Sequence, residues 1–371
     1  MSRTHSSGAA AGREAGWDEG YDTGWEHGRH YGRCEAVRQR VSVPAPSVRR
    51  LKVLFVPQGF DGLDQGLEAA LRRTVATTII AHATEMFTKA AEHRPDLVLV
   101  MNGLHIFPAD HLEQVDRIRS ELGIKTAIWF ADDPYFTDHT VTIAPHYDCI
   151  VTHEMSCVPF YASLGCKQVH YLPLAVDTDR FRPQPAAMSY RSDICFIGNA
   201  FWNRVEWFDR LAPYLAGKRV FIGGGHWDRM TSYKLLKPYI RDGWIPVEET
   251  VRYYSGAKIV INMHRGHDHQ TDNRNQRHIP PFSINPRTYE ISACGTLQLT
   301  DVRSDLTRYY TPGVELDVYH SPEDLIAKLD YYLKHEEARQ RIALNGLKRT
   351  LQEHTFVHRV DQLFTLLGYS G

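Results

Sequence analysis

Residues 285–301 read NPRTYEISACGTLQLTD, a proline-opened helical stretch that turns at Cys294-Gly295 into a buried apolar strand. Proline at a first helical position loses no hydrogen bond, and glycine tolerates the left-handed exit that a sharp helix end requires. A helix over 286–294 carries Arg287 in its first turn and Glu290 in its second. A carboxylate so placed can accept both hydroxyls of a ribose. A fixed cation added to an already positive helix N-terminus suits a diphosphate.

On both sides of this stretch, apolar runs alternate with amphipathic ones. Strands are expected at 194–197, 219–222, 258–263, 296–300 and 314–318, with helices near 203–215, 231–239, 249–257, 321–335, 336–354 and 356–367. Ahead of the proline-marked linker Phe181-Arg182-Pro183-Gln184-Pro185, the same alternation predicts strands at 51–57, 74–81, 97–102, 125–131, 149–153 and 169–175. Strand, helix, strand with short connections means a parallel sheet covered on both faces, so two doubly wound α/β halves are expected. Ligands of such sheets bind outside the carboxyl ends of the strands, and two facing halves make a cleft for the active site.

At 371 residues, 43% apolar and 23% charged, the chain is long enough for two domains with sizeable cores. Its 43 basic and 44 acidic residues leave a net charge of −1 without a polybasic block, which argues against nucleic acid or an anionic membrane as partner. Six scattered cysteines without CxxC spacing read as reduced thiols of a cytoplasmic protein, with no signal peptide or membrane span.

Residues 1–46 stand apart. Seven of the 26 glycines fall at 8, 12, 16, 20, 24, 28 and 32, with Trp17, Tyr21 and Trp25 on a second stripe of the same period. Four residues advance a helix by about 400°, so each stripe keeps to one face. Each helical glycine costs roughly 1 kcal/mol against alanine. The segment is therefore expected to be an arm outside the enzyme body, loose or helical on contact, serving self-association through residues 8–32 or docking on another protein.

Within the second half, Gly198-Asn199-Ala200-Phe201-Trp202-Asn203-Arg204 follows the first strand. A glycine there lets a phosphate approach backbone amides, and Arg204 could clamp it. Asn262, His264 and Arg265 end the 258–263 strand, where they could meet sugar hydroxyls or phosphate, ahead of a polar loop running to Phe282. His264, His267, Asp268 and His269 match no closed zinc spacing, and no metal is expected. In the first half, Asp132 and Asp133 at the end of the fourth strand lead as the base for an acceptor hydroxyl, with His153 and His105 at neighbouring strand ends.

The 285–301 stretch resembles the nucleotide-sugar signature of GT-B glycosyltransferases, in particular the family-1-type transferase domain of CgeB-like spore maturation proteins. Leu172–Pro183 resembles the interdomain passage of the same fold. The resemblance spans roughly 51–368 and is stronger over 190–365. It implies two Rossmann-like domains, 47–183 for the acceptor and 184–355 for the donor, with 356–371 as a helix crossing back to the first. It also implies a nucleotide diphosphate-sugar donor, UDP favoured, and transfer to a saccharide, protein or small-molecule hydroxyl without cofactor or bound metal. The donor-binding set is then Gly198, Asn199, Arg204, Asn262, His264, Arg265, Arg287, Glu290 and Gly295, and the catalytic set Asp132, Asp133 and His153. Trp227 and Ile245 match the layer against which the base packs. Many retaining members carry a second glutamate eight positions earlier; Phe282 stands there, so inversion and retention are both open. A sugar-nucleotide epimerase of the same fold and a non-catalytic spore or assembly component are the rival readings.

Overall fold

The computed structural model describes residues 4–41 and 46–369, beginning with α1 (Thr4–Arg40). The first half alternates β1 (Arg49–Val56), α2 (Asp61–Thr74), β2 (Val75–Ile80), α3 (Met86–His93), β3 (Leu97–Met101), α4 (His111–Ser120), β4 (Lys125–Phe130), α5 (Thr137–Ile143), β5 (Cys149–Thr152), α6 (Cys157–Ser163) and β6 (Val169–Tyr171). The strands pair in parallel in the order β2-β1-β3-β4-β5-β6. All five residues of β3 are buried, because helices cover both faces of the sheet and leave no side for polar residues.

The second half repeats the plan with β7 (Ser192–Ile197), α7 (Trp202–Leu215), β8 (Val220–Gly223), α8 (Tyr233–Leu236), β9 (Ile240–Arg241), α9 (Val247–Gly256), β10 (Ala257–Asn262), α10 (Pro286–Ala293), β11 (Leu297–Asp301) and β12 (Asp317–Tyr319). Their parallel order is β12-β11-β10-β7-β8-β9. Two edge strands depart from expectation. β9 is only two residues long, too short to show a period, and the strand expected at 314–318 forms later, after Gly313 turns the chain at φ +77°.

Helices α11 (Pro322–Lys334), α12 (Glu336–Glu353) and α13 (Phe356–Leu366) close the chain. α13 lies on the first half, where Phe356, Val360, Leu363 and Phe364 join Leu67 and Leu71 of α2 in one core. Gly66 permits that approach: a Cβ there would stand 2.7 Å from the Phe356 ring. The two passages between halves are bonded to each other, Val176 N–H to the His354 carbonyl at 3.2 Å and Phe356 N–H to the Val176 carbonyl at 3.1 Å. This double crossing sets the cleft between the carboxyl ends of the two sheets.

The arm does not lie outside the body. The second half of α1 packs on α12 and on the α10–β11 turn. Cys34 is fully buried, His30 Nε2 sits 2.7 Å from the Gly295 carbonyl, and Glu26 pairs with buried Arg339. The physical reason is the opposite face of the glycine period: positions 26, 27, 30, 33, 34 and 37 form an unbroken stripe without glycine. The self-association expected of residues 8–32 falls in part outside the described residues, since the side chains of 8–19, 22 and 23 are not described. For Gly20, Gly24, Gly28 and Gly32 a Cβ would meet nothing within 4 Å, and Tyr21 and Trp25 are exposed. Gly28→Ala with Gly32→Ala is thus expected to stabilise the monomer by about 1–2 kcal/mol in urea unfolding. A loss of stability accompanied by a smaller species in sedimentation would show that the stripe seats another backbone. Among the described residues no helix is long and apolar enough to cross a membrane.

Candidate active site

α10 is built as expected. Asn285 caps it, its Oδ1 accepting the Thr288 N–H at 3.1 Å, and Pro286 fills the first turn. Arg287 and Glu290, three residues apart, share one face of this helix. Among the described residues, no hydrogen bond or ion pair closes on either side chain, although both are half-buried. Burial pushes the Glu290 carboxyl up to about 7, with the Arg287 charge opposing it.

The neighbouring polar groups are committed to the protein. Asn262 Nδ2 donates to Asn285 Oδ1, Thr288 Oγ1 and Gln298 Oε1 at 3.1–3.2 Å, tying the end of β10 to α10. Buried His264 spends both ring nitrogens, Nδ1 at 2.6 Å from Asp301 Oδ1 and Nε2 accepting the Asn285 N–H at 3.0 Å. Burial pulls His264 below its ordinary range, although the Asp301 charge opposes this. Neither residue therefore points open polar atoms at a sugar, contrary to expectation: at a strand end, the adjacent strand and helix cap compete for the same donors and acceptors.

Arg204 also departs from its expected role. It is 1% exposed, with Nε and Nη2 donating to the Met263 carbonyl and Nη1 to the Asn199 carbonyl at 2.8 Å. Burial, reinforced by the Arg287 charge, lowers it to about 9. It clamps the 198–204 loop to β10 rather than a phosphate. Gly198 lacks a side chain because a Cβ would lie 2.9 Å from Arg204 Nη1. The Gly198 and Ala200 amides bond to the Gly223 and Gly225 carbonyls, and Asn199 Oδ1 accepts the Gly225 N–H at 2.9 Å. Gly295 takes the expected left-handed turn, φ +71°, but at the far end of α10 from the cleft, against Cys34 and Pro183. Trp227 is a core residue against Phe196 and Phe208, and Ile245 is buried against Gly223, so neither offers an open face to a base.

In the first half, Asp132 is the member of the catalytic set that stands at the cleft wall. Its Oδ2 accepts from Asn102 Nδ2 at 2.6 Å and lies 3.2 Å from His105 Nε2. Burial pushes its carboxyl up, but the His105 and Asn102 hydrogen bonds outweigh this and hold it below the usual range. Asp133 turns inward instead, 1% exposed, accepting from Thr152 Oγ1 at 2.6 Å and Tyr161 Oη at 2.8 Å. Desolvation raises it to about 7. His153 is 6% exposed, with Nε2 on the Asp133 carbonyl at 2.9 Å, and burial holds it neutral by lowering its pKa. Both lie past the end of β4, in the bend that follows it, where Asn102 and His105 hold Asp132 while Thr152 and Tyr161 hold Asp133 in the interior.

Arg265 spans the cleft, its guanidinium 4.6 Å from the Tyr135 ring and 5.4 Å from Phe136 on one side and 4.4 Å from Phe201 on the other. One bridging residue escaped sequence reading. The buried Glu154 carboxylate accepts the N–H groups of Ser156, Phe282 and Ser283, each at 3.0 Å, and so ties the polar 264–285 loop to the first half. Its signal, a glutamate beside His153 at a strand end, was present. His267 and His269 pair with Asp268 and Glu206, and among the described residues no three His, Cys, Asp or Glu side chains cluster to hold a metal.

A family model described as glycosyl transferase-like matches residues 204–365. The Bacillus subtilis spore protein CgeB is 31% identical over 314 residues, covering 82% of this chain and 95% of that one. Among solved structures, Anabaena HepE in complex with UDP and glucose superposes with a TM-score of 0.58 at 10% identity, over 86% of this chain and 100% of that one. Sucrose-phosphate synthase from Thermosynechococcus elongatus gives 0.58 at 13% identity, over 85% and 99%. The paired six-stranded sheets thus have counterparts among glycosyltransferase structures, and by its sequence the chain belongs to the CgeB-like family of GT-B glycosyltransferases.

Proposed function

We propose that the protein transfers a sugar from a UDP-sugar to an acceptor hydroxyl, without a bound metal. The observation that carries this reading is the face of α10: no hydrogen bond or ion pair closes on Arg287 or Glu290 among the described residues, while the polar groups around them are bonded to other protein groups. Glu290 would accept the ribose hydroxyls. Arg287 and the α10 N-terminus would take the diphosphate, stabilising the charge that grows on it as the glycosidic bond breaks. The first half would present the acceptor across the cleft, so that orientation supplies much of the rate. UDP is favoured as the nucleotide because HepE, of the same fold, binds it.

Calorimetric titration tests the reading. UDP is expected to bind at least tenfold tighter than ADP or GDP and equally well in EDTA. A flat UDP titration overturns it, and loss of binding in EDTA overturns its metal-free part.

A further inference from the structure

The geometry points to His105 as the general base that takes the acceptor hydroxyl proton, with Asp132 and Asn102 as the residues that position it; this rests on the transferase reading above. Three observations converge. His105 Nε2 lies 3.2 Å from Asp132 Oδ2, and Asp132 is itself held by Asn102, whose Nδ2 donates to the same oxygen while its Oδ1 accepts the Ala131 and Asp132 amides. An ionised carboxylate only accepts, so the proton of the neutral imidazole sits on Nε2 and the lone pair on Nδ1. Asp132 is kept ionised by these hydrogen bonds, against the pull of burial, and the charge of Arg265 from across the cleft acts in the same direction.

The second observation is backbone strain. Asn102, Gly103 and His105 take φ of 62°, 66° and 62°, a left-handed backbone conformation uncommon outside glycine. Gly103 is required there, since a Cβ would stand 2.8 Å from Ile128 Cδ1. The strained loop carries the exposed imidazole over the end of β4, where its ring packs 5.6 Å from Phe60 and edge-on to Phe136 at 5.2 Å.

The third is position. From Phe136 the Arg265 guanidinium reaches Phe201, which stands in the 198–204 loop, so one chain of ring contacts leads from His105 to the donor half. The step balances without another reactant. The acceptor O–H proton passes to His105 Nδ1, the oxygen bonds to the anomeric carbon, and the bond to the diphosphate breaks with its electron pair leaving on UDP. A base on the wall opposite the donor site makes this a single displacement with inversion.

Three proteins decide it: wild type, His105→Gln and Asp132→Asn, each assayed for UDP binding, for UDP release from a panel of UDP-sugars with water as acceptor, and for histidine tautomer by 15N NMR. His105→Gln is expected to leave UDP affinity unchanged, to lower kcat about 10²–10⁴-fold, and to abolish the rise of kcat with pH that a titrating base imposes. Asp132→Asn is expected to lower kcat less and to move the His105 proton off Nε2. Turnover in His105→Gln within threefold of wild type, retention in the first-formed sugar anomer, or an Nδ1–H tautomer in wild type overturns the inference. If wild-type protein fails to bind UDP, the donor reading falls instead. If it binds UDP without turning over any UDP-sugar, the tautomer result alone decides.

Discussion

Glu290→Gln is expected to weaken UDP binding by about ten- to a hundredfold and, in the same protein without ligand, to raise stability at pH 8. The first effect follows from replacing a charged acceptor of two ribose hydroxyls with a neutral amide that accepts through one atom, a loss of about 1.5–3 kcal/mol. The second follows from linkage. The folded-state carboxyl titrates at about 7, above its value in the unfolded chain, because burial disfavours its charge. Between about pH 4.5 and 7 the native state holds a proton that the unfolded state has lost, so this group's contribution to stability falls as pH rises through that window. Glutamine carries no such charge. The variant should gain about 1–2 kcal/mol at pH 8, after discounting for partial exposure, and nothing at pH 4. Equal stability at both pH values, or unchanged UDP affinity, would remove Glu290 from the site.

Glu154→Ala costs about 3–5 kcal/mol and loosens the two halves from each other. The carboxylate is 1% exposed and accepts the amides of Phe282 and Ser283 from the second half, along with the amide and hydroxyl of Ser156 from its own. Its removal strands the buried Ser283 amide and the part-buried Phe282 amide, at about 1–3 kcal/mol each at most, and frees the 264–285 loop. Urea unfolding should then split into two transitions, and protease should cut first within 264–285. Glu154→Gln retains an acceptor and should lose about half as much. A single transition at the wild-type midpoint in the alanine variant would show that the halves are held together without Glu154.

The legibility of the site divides along one line. Arg287 and Glu290 could be read because a helix with a proline start and a glycine end is a local structure, and i, i+3 spacing puts both side chains on one face. Arg204, Asn262 and His264 were equally visible as polar residues at strand ends and helix starts. Their roles differ because their partners come from far along the chain: Met263 for Arg204, Gln298 and Asn285 for Asn262, Asp301 for His264. The same holds for Asp132 and Asp133, which pattern alone treats as a pair and which distant partners separate, Asn102 and His105 for the first and Thr152 and Tyr161 for the second. The glycine arm shows the converse. Its period was legible, but the face that docks is defined by what it meets, Gly295 and Arg339 at the back of the second half.

By itself, the order of apolar runs, prolines and glycines determined two parallel α/β halves with a hinge between them, and the helix that carries Arg287 and Glu290. These follow from backbone geometry and side-chain period, which act over a few residues. Which of the cleft's polar groups remain open for a substrate was decided only by the tertiary structure. A buried donor or acceptor must be paired, its partner is supplied by whichever strand the sheet order brings alongside, and that order is not written in any one segment.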